Sequence, residues 1–118
     1  MYIQGFVIPV PEGNKDAYRE VAQKFTDIMK NHGMIEVVEA WEAGVPDGEH
    51  TDFRKAVAIE AGEKVVFSWV VWPDKATCDA AHASMMAGEM AEEMAASAPF
   101  DGKRMIFGGF EPIVSWRK

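Results

Sequence analysis

Cysteine is nearly missing from this sequence. Cys78 is the single one, so no internal disulfide can form and packing alone must hold the chain, which suits a reducing compartment. No stretch approaches the apolar run of roughly 20 residues that a membrane span needs. The start, Met1-Tyr2-Ile3-Gln4-Gly5, has no basic region before an apolar block, so a secretory signal is not expected and the cytoplasm is the expected location. Positive charge is also scarce. Twelve Lys and Arg against nineteen Asp and Glu give a formal charge of -7, which repels phosphate backbones and argues against nucleic acid as a partner. The pairs Arg54-Lys55, Lys103-Arg104 and Arg117-Lys118 are too short for a nucleic-acid footprint. There is no phosphate-binding glycine loop, no paired-cysteine motif and no serine elbow. No cofactor and no metal are expected.

What the chain does have is apolar surface in regular patterns. With 48% hydrophobic and 26% charged residues it reads as one globular domain, residues 1–118, that buries roughly two thirds of its unfolded surface. Tyr2 to Val10 is a β-rich run bounded by Pro9 and Pro11. Tyr18, Val21, Ala22, Phe25, Ile28 and Met29 then recur at the spacing of one helix face, with Asn14 as N-cap and Gly33 ending the helix in the left-handed conformation. Met34 to Trp41 alternates as a second strand, and Gly44 to Gly48 is a turn. Glu49 to Gly62 reads as a long loop with a short strand or helical turn. Lys64 to Trp72 is almost continuously apolar, hence a central strand. Pro73-Asp74 opens a second helix to about Ala87, broken at Gly88 before a short helical piece through Met94. Asp101-Gly102 turns the chain into a last strand ending at Gly109-Phe110-Glu111-Pro112, which echoes Gly5-Phe6-Val7-Ile8-Pro9 and places the two strands side by side.

The order strand, helix, strand, strand, helix, strand predicts an α+β, ferredoxin-like βαββαβ domain: a four-stranded antiparallel sheet with both helices on one face. In the central strand Val65, Phe67, Trp69 and Val71 point one way, yet Val66, Val70 and Trp72 on the other face are apolar too, with Ser68 as the sole break. An apolar face without helices predicts an interface. The expectation is a homodimer packing sheet against sheet.

The segments Gly5-Phe6-Val7-Ile8-Pro9-Val10-Pro11, Ala17-Tyr18-Arg19, Val65 to Pro73 and Pro99-Phe100-Asp101-Gly102-Lys103-Arg104-Met105-Ile106-Phe107-Gly108-Gly109-Phe110-Glu111-Pro112 resemble the YbaA-like family of small bacterial proteins. The resemblance spans nearly the whole chain and implies a dimeric α+β barrel, but no reaction. It also implies a ligand cavity between sheet and helices, with the loop after the second strand as its lid. The chain departs from these relatives at His82, where an amide is expected, and at Arg54-Lys55.

Candidate chemistry is sparse. Asp79 and His82 lie three apart on the second helix, where a carboxylate can orient an imidazole as a general base; an ordinary helix-surface pair is the plainer reading. His50, Arg54, Trp69 and Arg104 are candidates for binding a small, apolar or aromatic molecule. Tyr18, Trp69 and Trp72 can line a flat cavity or fill the core. Asp47, Glu49, His50 and Asp52 match no metal-site spacing and read as a solvated loop. Met85, Met86, Met90 and Met94 offer a soft packing surface, and Gly108-Gly109 marks a bulge or close strand approach. A non-catalytic dimer that acts by interaction is the competing reading.

Overall fold

The computed structural model of the chain describes residues 1–88 and 98–118. Four strands, β1 (Tyr2–Pro11), β2 (Glu36–Trp41), β3 (Glu63–Trp72) and β4 (Ile106–Phe110), and three helices, α1 (Lys15–Met29), α2 (Phe53–Ala56) and α3 (Lys75–Ala87), follow in the order β1α1β2α2β3α3β4. The sheet is antiparallel with strand order β2-β3-β1-β4, the ferredoxin-like arrangement expected from the pattern of elements. The expected helical piece through Met94, with Met90 and Met94, lies outside the described residues.

Local chemistry explains the boundaries. α1 gives way to a short 3-10 turn and stops at Gly33, whose φ of 92° is in the left-handed region where a side chain is strained. Asn14 occupies the N-cap position, but its side chain makes no capping bond and donates instead to the Pro99 carbonyl at 2.9 Å, tying the helix start to the approach of the last strand. α3 is capped by Asp74, whose carboxylate accepts from the Thr77 amide at 2.7 Å, and it ends at Gly88. β1 runs straight through Pro9. The strand survives the missing donor because β4 pairs with β1 only over Ile3–Val7, which leaves Pro9 with a ladder on one side alone.

Strand parity sorts the side chains into two faces. Tyr2, Gln4, Phe6, Ile8 and Val10 share one face with Val66, Ser68, Val70 and Trp72 and with Val37, Glu39 and Trp41, as the register requires. The helices cover this face. Met29, Val70, Trp72, Cys78 and Ala81 form one buried cluster, and Ile8, Val10, Tyr18 and Val66 form a second. Fully burying a side chain of this size stabilises by about 1.5–3 kcal/mol, so these two clusters anchor the helices to the sheet.

The other face carries Ile3, Gly5, Val65, Phe67, Trp69, Ile106, Gly108 and Phe110. No helix of the α1 or α3 layer reaches it, and Phe67 and Phe110 are 43% and 61% exposed. Gly108 and Gly109 sit in continuous register rather than at a bulge. Their meaning is close approach: the Phe110 ring packs over Gly5 and Gly108, and a side chain at Gly109 would collide with the Tyr2 ring. The 42–62 connection folds onto this open face, not over the helix side. α2 sets Phe53 edge-on to Phe67, ring centroids 5.7 Å apart, and Val57 is buried. The loop expected to be a lid over the sheet–helix cavity is therefore a cover for one end of the opposite face.

Candidate functional site

Away from Lys64 at the start of β3, the helix-covered face carries polar strand residues at Gln4, Glu39 and Ser68, and the register draws these together. Ser68 of β3 stands opposite Glu39 of β2 on one side and Phe6 of β1 on the other. α1 lays Tyr18 over them, and the Tyr18 hydroxyl donates to Glu39 Oε2 at 2.6 Å. Ser68, 1% exposed, faces the same carboxylate from across the β2–β3 register and helps to hold its pKa down. From the other side α3 brings His82. These groups line a cavity of about 280 Å³ between sheet and helices, otherwise walled by apolar side chains that include Phe6, Phe25, Val70, Phe100 and Met105.

The electrostatics follow from burial. The Tyr18 phenol is pushed far above its ordinary value, first by burial and then by the Glu39 charge and hydrogen bond. Glu39 is raised by burial of its carboxylate, an effect that the bonds from Tyr18 and Ser68 oppose. Glu39 stands on an edge strand, and solvent reaches it through a groove between α1 and β2 that Arg19, Gln23 and Trp41 help to line.

His82 is lowered by burial, against a weaker upward pull from Asp79, and this favours the neutral ring. The Trp72 indole can only donate, and its Nε1 bonds Gln4 Oε1 at 2.9 Å, which fixes the orientation of the Gln4 amide. Gln4 Nε2 then faces His82 Nε2 at 3.0 Å, a bond it donates when the ring proton is on Nδ1. A protonated ring would find Gln4 Oε1 3.2 Å from the same nitrogen, so the amide accommodates either state.

Of the described candidate residues, His82, Tyr18 and Met85 reach this cavity. Asp79 shares α3 with His82 but is 59% exposed and gives its carboxylate to Lys75 Nζ at 2.6 Å. It acts on the imidazole through charge alone, and Gln4 is the group that orients it. Trp69 points to the open face, its Nε1 donating to Glu36 Oε2 at 3.1 Å. Arg54 bridges Glu42 at 2.6 Å and Asp47 at 3.4 Å. Arg104 grips Glu63 with two bonds of 2.6 and 2.7 Å, and also reaches Asp101 and the Ala58 carbonyl. His50 is an exposed loop residue. These four side chains therefore do not converge on one another or on the cavity.

The loop carboxylates are likewise occupied: Asp52 caps α2 through the Lys55 amide and also accepts from the Gly48 amide. Among the described residues, no three His, Cys, Asp or Glu side chains come together as a metal site. Cys78 is buried, and burial pushes its thiol up. Gln4 and Glu39 were passed over in the sequence because each strand was read for its apolar residues. The available signal was a polar residue of core-facing parity in each of three strands.

Comparison with known proteins agrees with this architecture. Residues 1–102 match the family described as protein of unknown function (DUF1428). The chain is 51% identical over 113 residues to the uncharacterized protein YbaA of Escherichia coli strain K12, covering 96% of this chain and 97% of that protein. The YbaA protein of Shigella flexneri gives the same figures. A crystal structure of protein Atu4242 from Agrobacterium tumefaciens superposes with a TM-score of 0.56 at 17% identity, over 95% of this chain and 93% of that one; at that identity the likeness is one of fold alone.

Proposed function

We propose that the cavity between sheet and helices is a ligand site, in which a cytoplasmic homodimer binds or converts a small apolar or aromatic molecule. The chain belongs to the DUF1428 family, whose description assigns no activity, so the reading rests on the site. The observation that carries it is the combination of about 280 Å³ of apolar-walled space with a small set of convergent polar groups, Tyr18, Glu39, Ser68 and His82, which is the usual make-up of a small-molecule pocket. Dimerisation is supported by the open face. Ile3, Phe67, Trp69, Ile106 and Phe110 line an apolar trough of about 440 Å³, and the neighbouring Ile113, Val114 and Trp116 are almost fully exposed. A second copy of the same face supplies matching apolar surface. The cytoplasmic placement is supported by the lone buried thiol and by the absence, among the described residues, of a helix long and apolar enough to cross a membrane.

Native mass spectrometry of freshly purified protein tests both parts. The expected spectrum shows a dimer that carries a small organic adduct, released on mild activation. A monomer at micromolar concentration removes the interface. A dimer that takes up no small aromatic from a fragment panel favours the alternative, a non-catalytic dimer acting by interaction, for which the extent of the open apolar face is the supporting observation.

A further inference from the structure

The polar cluster under α1 buries Tyr18 and Ser68 beside a carboxylate that solvent reaches from the α1–β2 groove, and it does not serve the packing around it. Val66, Val70 and Trp72 continue the same strand face as closely packed apolar residues, and a third apolar side chain at Ser68 with matching partners would hold the helix equally well, since replacing both members of a buried polar pair by apolar groups is often neutral. What the cluster supplies is directional. The Tyr18 proton is committed to Glu39 Oε2, and Ser68 faces the same carboxylate across the β2–β3 register. An ionised carboxylate offers about four acceptor positions, so these neighbours leave capacity over. The Tyr18 oxygen also keeps lone pairs. On the Tyr18–Glu39 side of the cavity the phenol proton is therefore spent, and the free hydrogen-bonding capacity of the carboxylate is of the accepting kind. The opposite side differs, because His82 lines the cavity there with an imidazole that carries an N–H of its own.

We propose that Glu39, braced by Tyr18 and Ser68, is the polar anchor of the cavity and selects a small aromatic molecule whose one polar group is a hydrogen-bond donor, a phenol-class ligand, over aromatics of the same shape that lack the donor. This inference rests on the cavity being a ligand site. A phenolic hydroxyl directed at Glu39 completes the acceptor capacity with a charge-assisted bond, while the ring lies against the Phe6, Phe25 and Phe100 walls. An ether or ketone in the same place sets lone pair against lone pair, and a plain hydrocarbon offers the carboxylate's cavity-facing positions no donor.

The test uses three probes of similar size, p-cresol, p-xylene and p-methylanisole, titrated into the whole protein and followed by NMR or calorimetry. Wild type is expected to bind p-cresol more tightly than p-methylanisole. The double variant Tyr18→Phe/Glu39→Leu, in which both partners become apolar, is expected to keep p-xylene binding while the ratio of p-xylene to p-cresol dissociation constants falls about tenfold or more, the equivalent of one hydrogen bond to a charged group. If that double variant does not fold, Glu39→Gln replaces it: the new amide donor should shift preference from p-cresol toward p-methylanisole. Binding of all three probes with no change of ratio in the variant overturns the anchor and leaves the cavity reading standing. Absence of binding by any probe overturns both.

Discussion

The two faces of this sheet are built from the same kind of residue and finished in opposite ways. The helix-covered face buries Val10, Val66, Val70 and Trp72 almost completely, and it tolerates Gln4 and Glu39 because each finds a partner within the same chain. The open face keeps Phe67, Ile106 and Phe110 partly in water, and the Trp69 indole on it is turned aside to Glu36. Polar groups line the cavity between sheet and helices, whereas the trough on the open face is mostly apolar. The contrast bears on desolvation, since an unpartnered buried polar atom costs about 1–3 kcal/mol.

Four perturbations test this contrast, beginning with the largest effect. Trp72→Ala empties the most buried large side chain on the helix side and removes the donor that orders Gln4; it should cost about 3–5 kcal/mol in chemical denaturation. Phe110→Asp, on the open face, should leave the fold of the protomer intact and abolish the proposed dimer in light scattering. An unfolded Phe110→Asp protein, or an unchanged dimer, would falsify the division of labour between the faces.

The third perturbation is pH. Burial lowers the folded-state pKa of His82, so the unfolded chain takes up a proton there first, near the ordinary value of about 6.5. The stability contributed by the neutral ring is complete above that value and declines as pH falls through it toward the lower folded pKa. Wild type should therefore lose more stability than His82→Gln between pH 8 and pH 5.5, and equal losses would show that the ring is not held neutral by the fold. The smallest effect belongs to Asp79→Ala. Its exposed pair with Lys75 is of a kind that contributes little, so melting midpoint and probe affinity should both stay unchanged; a clear loss of affinity would restore a general-base pairing of Asp79 with His82.

Much of the fold was legible from residue order. The helix period from Tyr18 to Met29, the glycine stop at Gly33, the apolar run of the central strand and the two glycine–phenylalanine segments at the chain ends lead to the observed elements and to β1 beside β4. The candidate site was legible in fragments only. His82 was visible as an imidazole on a helix, but its partner Gln4 lies 78 positions away, and the nearby Asp79 was the more conspicuous choice. Arg104 and Arg54 drew notice as isolated cations among acidic residues, whereas both are spent in ion pairs that pin the 42–62 connection and the turn before β4.

The sequence on its own determined parity: side chains of a strand alternate, so Gln4, Glu39 and Ser68 were bound to share a face with apolar neighbours once the strands existed. Only the tertiary structure decided register and which face the helices cover. Register is a long-range property, settled by the fit of β2 and β1 on either side of β3. That fit turned three separate polar residues into a cavity with a carboxylate in it, and turned an equally apolar opposite face into a surface still open to a partner.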